Sequence, residues 1–170
     1  DLFGWVSTNS AEDLYPWVTR GITGLVAAAD SSNEIRVLDT LIGEIEAEKG
    51  LPSGMLQIDL ILKSTDALLN SYESAVASPR VVSLNIDETR LAKELGVELS
   101  YDEDPLAYAR GRIIVTAALA DVQAHGLGFL PATAKHLPLT ETRAIHARQL
   151  GFTGSFCSTT QDVASLNFGF

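Results

Sequence analysis

Ser78-Pro79-Arg80-Val81-Val82-Ser83-Leu84-Asn85-Ile86-Asp87-Glu88 contains one complete joint of an alternating fold. Pro79 ends whatever helix precedes it, because the residue before a proline is pushed out of the helical region. Val81–Ile86 is a short, nearly continuous apolar run. A strand buried on both faces has that pattern, and such strands belong to parallel sheets. Asp87 can then cap a helix through Leu91 and Leu95, which Gly96 closes.

The same joint recurs on either side. Further strands are predicted at Trp5–Thr8, Gly24–Ala28, Leu56–Leu62, Gly126–Leu130 and Ser155–Cys157. Between them, Ser32–Lys49 places Ile35, Leu38, Ile42 and Ile45 three or four residues apart, the spacing of one helix face. Thr65 or Asp66 is expected to cap a helix through Tyr72. Asp104-Pro105 is expected to open a long helix to Ala124. Thr140 opens another helix, closed by Gly151, and Thr160–Asn167 is a short last one.

Strand and helix therefore alternate about six times, which implies right-handed crossovers and a parallel sheet. Part of a (βα)8 barrel and an open doubly wound sheet both fit that order. With no repeat and no linker-like stretch, residues 1–170 read as a single domain.

The bulk chemistry excludes several classes. A formal charge of −10 argues against nucleic acid and anionic membrane surfaces as partners. The longest membrane-span candidate, Ile113–Ala120, is broken by Thr116 and ends at Asp121. Cys157 is the one cysteine, so an internal disulfide is impossible and an intracellular location, cytoplasm or organelle matrix, is expected. The chain starts at Asp1 and is read as a processed or excised piece.

In a βα barrel, chemistry sits at the C-terminal strand ends. There the residues resemble a family. Ser78-Pro79-Arg80-Val81-Val82-Ser83-Leu84, with Leu91 and Leu95-Gly96, resembles a stretch of the citrate lyase beta-subunit-like (HpcH/HpaI aldolase/citrate lyase) family of acyl-CoA carbon–carbon lyases. Ala47-Glu48-Lys49-Gly50-Leu51-Pro52, Ile61-Leu62-Lys63-Ser64, Ala109-Arg110 with Ile114-Val115, and Leu150-Gly151-Phe152-Thr153-Gly154 are similar to further family stretches in the same order. The resemblance implies a TIM-like (βα) barrel. It is a partial barrel of about six βα units, because the first two strands have no counterpart.

It also implies a chemistry that these residues do not match. The family reaction makes or breaks a carbon–carbon bond beside an acyl-CoA, with a magnesium ion held by two carboxylates. The first carboxylate position falls on Lys63 and the second on Thr89-Arg90. The substrate-gripping arginine falls on Ser7, a family lysine on Ala29, and a family aspartate on Gly126. Ser158-Thr159-Thr160 stands where the family has a histidine-proline pair. Two cations in place of two ligands repel a divalent metal. No catalytic residue carries over; Ser7, Ala29, Lys63, Arg90 and His125 remain the candidate pocket positions, with Asp87 and Glu88 as weak metal candidates.

Each of these residues has a structural alternative. Lys63 as a Schiff-base or phosphate-binding lysine competes with a salt bridge to Asp59, Asp87 or Glu88, and the salt bridge is favoured. Asp87 and Glu88 are better placed as cap and first-turn acid. His125 as a general base competes with a structural loop histidine. His136 and His146 are expected on the surface, and Cys157 in a buried strand. Arg110 and Arg112 as a grip for CoA phosphate compete with a solvated ion-pair face against Asp102–Asp104, which is favoured. Trp5, Tyr15 and Trp17 are expected to form an aromatic cluster.

The reading is a degenerate, non-catalytic homologue with a structural, assembly or ligand-binding role. It would form homo- or hetero-oligomers, an active paralogue among the partners, with no cofactor of its own. The alternative is an active magnesium-dependent citryl-, malyl- or citramalyl-CoA-type lyase with a relocated site. A third reading takes the likeness as scaffold convergence in a binding module. The sheet is expected to leave two parallel edges that need covering.

Overall fold

A computed structural model describes residues 3–6, 11–99, 104–126, 141–156 and 160–170. The elements run β1 (Phe3–Val6), α1 (Ala11–Leu14), β2 (Gly24–Ala29), α2 (Ser32–Glu48), β3 (Gln57–Leu62), α3 (Thr65–Leu69) and α4 (Ser71–Ala75). They continue with β4 (Val81–Ile86), α5 (Glu88–Leu95), α6 (Ala107–Ala120), β5 (Gln123–Ala124), α7 (Glu141–Leu150) and α8 (Thr160–Gly169).

The strands form one five-stranded sheet in the order β1-β2-β3-β4-β5, and every pair is parallel. A doubly wound sheet reverses its order at a switch point. This sheet does not reverse, and it follows the order of consecutive barrel units. Among the described residues β1 and β5 do not pair with each other, so the described sheet is open.

The pleat explains the apolar runs. Leu25, Ala27 and Ala29 of β2 and Ile58, Leu60 and Leu62 of β3 share one core cluster with Ile35, Leu38, Ile42 and Ile45 of α2. Alternate residues point to the other face. Val26, Asp59, Ile61, Ser83 and Asn85 are buried there. The second face is thus covered too, but it carries polar side chains.

Several boundaries differ from expectation. The strand expected at Trp5–Thr8 is placed at Phe3–Val6. Ser64, not Thr65 or Asp66, caps α3, its Oγ accepting from Ala67 N at 3.1 Å. The helix expected through Tyr72 breaks at Asn70 into α3 and α4. Asp104 does not cap α6 directly: its Oδ1 accepts from Leu106 N at 3.1 Å, and the helix begins at Ala107.

That helix ends early, at Asp121 with φ 55. A short polar side chain tolerates this left-handed turn. The next strand therefore starts at Gln123 instead of Gly126, and residues 127–130 lie outside the described residues. Of the sixth strand, expected at Ser155–Cys157, the described residues show a bridge between His125 and Gly154, and Cys157 lies outside them. Of the expected aromatic cluster, Tyr15 and Trp17 are exposed, with Lys49 Nζ 3.8 Å from the Tyr15 ring centroid, and the Trp5 side chain lies outside the described ones. No helix among the described residues is long and apolar enough to cross a membrane.

Candidate functional site

The C-terminal strand ends are built by register. Ala29 pairs with Leu62, so the residues that follow, Asp30 and Lys63, leave the sheet side by side. Lys63 Nζ lies 3.2 Å from Asp30 Oδ2. The expected salt bridge of Lys63 thus exists, but with Asp30 in place of Asp59, Asp87 or Glu88. Asp30 Oδ1 is buried without a hydrogen-bond partner. The Asp30 N–H donates to Glu34 Oε2 at 3.3 Å, while Ser31 Oγ accepts from Glu34 N at 3.3 Å. This is a reciprocal cap on α2. Both partners of the Lys63–Asp30 pair keep solvent contact, with side chains 24% and 36% exposed. A pair of that kind contributes only about 0–1 kcal/mol, so fold stability does not account for it.

The weak metal candidates are otherwise engaged. Asp87 Oδ1 accepts from Arg90 N at 2.9 Å as the cap of α5. Glu88 is buried and receives two hydrogen bonds of 2.8 Å from Arg110 Nε and Nη2. Arg110 also pairs with Asp104, one of the expected acids, but the arginine is largely buried and not on a solvated face. Burial would lower the affinity of the guanidinium for its proton, but the hydrogen bonds and charge of Glu88, then Asp104, override it and raise that affinity. Arg112 takes a different role, donating from Nη2 to Leu69 O at 2.7 Å.

His125 belongs to a separate cluster. Its Nδ1 is 2.7 Å from Asp59 Oδ2, and its Nε2 is 3.1 Å from Gln123 Oε1. Phe156 meets the ring edge-on, with centroids 6.1 Å apart. The described candidate positions thus have different surroundings. Ala29 is buried beside the Lys63 strand end, Arg90 is exposed on α5, and His125 pairs with Asp59. His146 is exposed. Ser7, His136, Cys157, Ser158 and Thr159 lie outside the described residues.

Sequence reasoning missed Asp30 as the partner of Lys63. The sequence places both residues directly after strands, but the register that brings them together is seen only in the paired sheet.

The magnesium ion implied by the resemblance fails a test on these side chains. Lys63 puts an ammonium where the first carboxylate is needed, Asp87 is committed to a helix cap, and Arg110 holds both oxygens of Glu88. No three His, Cys, Asp or Glu side chains among the described residues converge on one point. The described residues at these positions do not fit that ion.

An open parallel sheet whose consecutive strands lie side by side defines an α/β scaffold of consecutive βα units. Residues 6–160 match the HpcH/HpaI aldolase/citrate lyase family. The chain belongs to that family. It is 27% identical over 130 residues to citrate lyase subunit beta of Leuconostoc mesenteroides subsp. cremoris, covering 76% of this chain. The match spans only 42% of that relative's length. The fold is similar to RipC from Yersinia pestis, with a TM-score of 0.78, 18% identity, and coverage of 98% of this chain and 74% of that one. It is also similar to the citrate lyase beta subunit from M. tuberculosis complexed with oxaloacetate and magnesium. There the TM-score is 0.71 at 14% identity, covering 98% of this chain and 72% of that one. At such identities the structural likeness concerns the fold alone.

Proposed function

We propose that this chain is a non-catalytic member of its family, keeping part of a TIM-like barrel as a scaffold for assembly or ligand binding and using no metal cofactor. One observation carries the reading. At the end of β3, where the resemblance puts a metal carboxylate, Lys63 is ion-paired with Asp30. The strand order supports the barrel, because consecutive units lie side by side without reversal.

Assembly has its own support. Tyr108, Val115 and Leu119 on α6 and Leu69 and Val76 beside it are large, apolar and exposed. Protein partners cover faces of that kind. The occupant is a second copy of this chain or an active paralogue, because a relative similar in sequence, citrate lyase subunit beta, is itself a subunit.

The purified protein is tested against citryl-, malyl- and citramalyl-CoA with magnesium or manganese present. No cleavage above the uncatalysed rate is expected. Metal-dependent cleavage would overturn the reading in favour of an active lyase with a relocated site. Light scattering after size-exclusion chromatography is expected to give more than one copy per particle, either alone or after mixing with an active paralogue.

A further inference from the structure

We infer that Lys63 is a built-in replacement for a divalent cation: its ammonium, held on Asp30, closes the strand-end site to metal, and Asp30 is a latent metal ligand. This rests on the non-catalytic reading and assigns a specific device to it. The argument begins with register. Ala29 and Leu62 are paired, so Asp30 and Lys63 project from neighbouring strand ends, and Nζ reaches Oδ2 at 3.2 Å. A carboxylate at position 63 would stand beside a second carboxylate, and hard cations take such a pair of oxygen ligands.

The other strand-end acids differ in this respect. Asp87 caps α5 and Glu88 is clamped by Arg110. Asp30 keeps a buried oxygen with no partner, and its own backbone N–H is the group that Glu34 accepts from. An oxygen withdrawn from water and left unpaired calls for a positive charge nearby. Lys63 supplies one charge on a tethered chain where a hydrated ion would supply two. At such short range it repels a second cation, though solvent weakens the repulsion at these partly exposed side chains.

The substitution is structurally tolerable. Both side chains are partly exposed, and Lys63 follows β3 instead of filling its core. Its replacement leaves no buried charge behind, apart from the one Asp30 oxygen that the metal would take.

The test uses manganese alone, followed by electron paramagnetic resonance of free ion, on the protein and three variants. The native chain is expected to show no saturable binding. Lys63→Glu is expected to bind one manganese per chain, and Lys63→Glu with Asp30→Asn to lose it again. Lys63→Met removes the repelling charge without adding a ligand, and at equal free manganese it is expected to retain at least about three times as much ion as the native chain. Saturable binding of one manganese by the native chain would overturn the inference. So would a folded Lys63→Glu that binds no better than native, or equal retention of the ion by Lys63→Met and native protein. Lyase activity without manganese binding at this site would sink the non-catalytic reading alone, so the two failures are distinguishable.

Discussion

Asp59 Oδ2 lies 2.7 Å from His125 Nδ1, joining the middle of β3 to the residue after β5 over the intervening β4. Barrel interiors are filled in this way, by side chains from alternate strands meeting in a layer. Apolar residues usually form such a layer, whereas here Asp59 is flanked by Ser83 and Asn85, both buried. Asp59 Oδ1, Ser83 Oγ and Asn85 Nδ2 have no hydrogen-bond partner among the described residues. The pair therefore holds most of the polar bonding on this face. A double-mutant cycle of Asp59→Ala and His125→Ala, read by urea unfolding, is expected to give a coupling of about 1.5–3 kcal/mol. A coupling below about 0.5 kcal/mol would make the contact incidental.

Arg80 is the buried counterpart at the other end of the sheet. It donates to Glu46 at 2.7 and 2.9 Å, to Asp39 at 2.6 Å and to Leu56 O at 3.1 Å. Glu46 also accepts from Gly54 N at 2.9 Å and Leu56 N at 3.0 Å. Burial by itself would push the Glu46 carboxyl up, but hydrogen bonds from Arg80, Leu56 and Gly54 and the charge of Arg80 outweigh it, leaving it below the usual range. A carboxyl depressed in the folded state stabilises the fold above its unfolded value. That contribution fades as pH falls through the folded value. Glu46→Gln is expected to cost about 3 kcal/mol near neutrality and to flatten the loss of stability below roughly pH 4. Equal acid slopes for native and variant in urea titrations would refute this.

Glu88 and Arg110 form the third charged unit, with side chains 10% and 14% exposed. If Arg110 exists to satisfy Glu88, removing the arginine alone should hurt more than removing both. Arg110→Met is expected to destabilise by about 3 kcal/mol, because it strands a buried carboxylate. Adding Glu88→Gln should recover at least about 1 kcal/mol. If Arg110 instead served a ligand phosphate, stability would move little in either variant.

The fold was legible where local chemistry is hard to misread. Pro79 and Asp87 bracket β4 at its observed ends, and Gly96 closes α5 with φ 69. The region after α6 was misread because Ala118, Leu119, Val122 and Ala124 continue a helical spacing that the left-handed Asp121 interrupts. Strand β5 has only two residues, too few to show a period. The stretches that carry the family resemblance meet in space: Arg80 of one reaches Glu46, just before the start of another. They mark scaffold, which explains why the family could be read while the chemistry could not. Ion-pair partners resisted prediction because they depend on register. Lys63 could be assigned to Asp30 only once β2 and β3 were aligned, and that freed Asp59 for His125.

Gly151 tests how the end of α7 packs on α6. It ends α7 with φ +110, a region that side chains rarely adopt, and an added Cβ would stand 2.8 Å from Ile114 Cγ2. The helix end depends on this turn, because Phe152 N reaches Ala147 O at 3.1 Å and carries Phe152 into the core. Two separable costs follow for Gly151→Ala, backbone strain and overpacking against α6. Together they are expected to lower stability by about 2 kcal/mol. In the background of Ile114→Ala the clash is gone and only the strain remains, so the same substitution should then cost about 1 kcal/mol. An unchanged penalty in the two backgrounds would mean that Ile114 does not press on this turn.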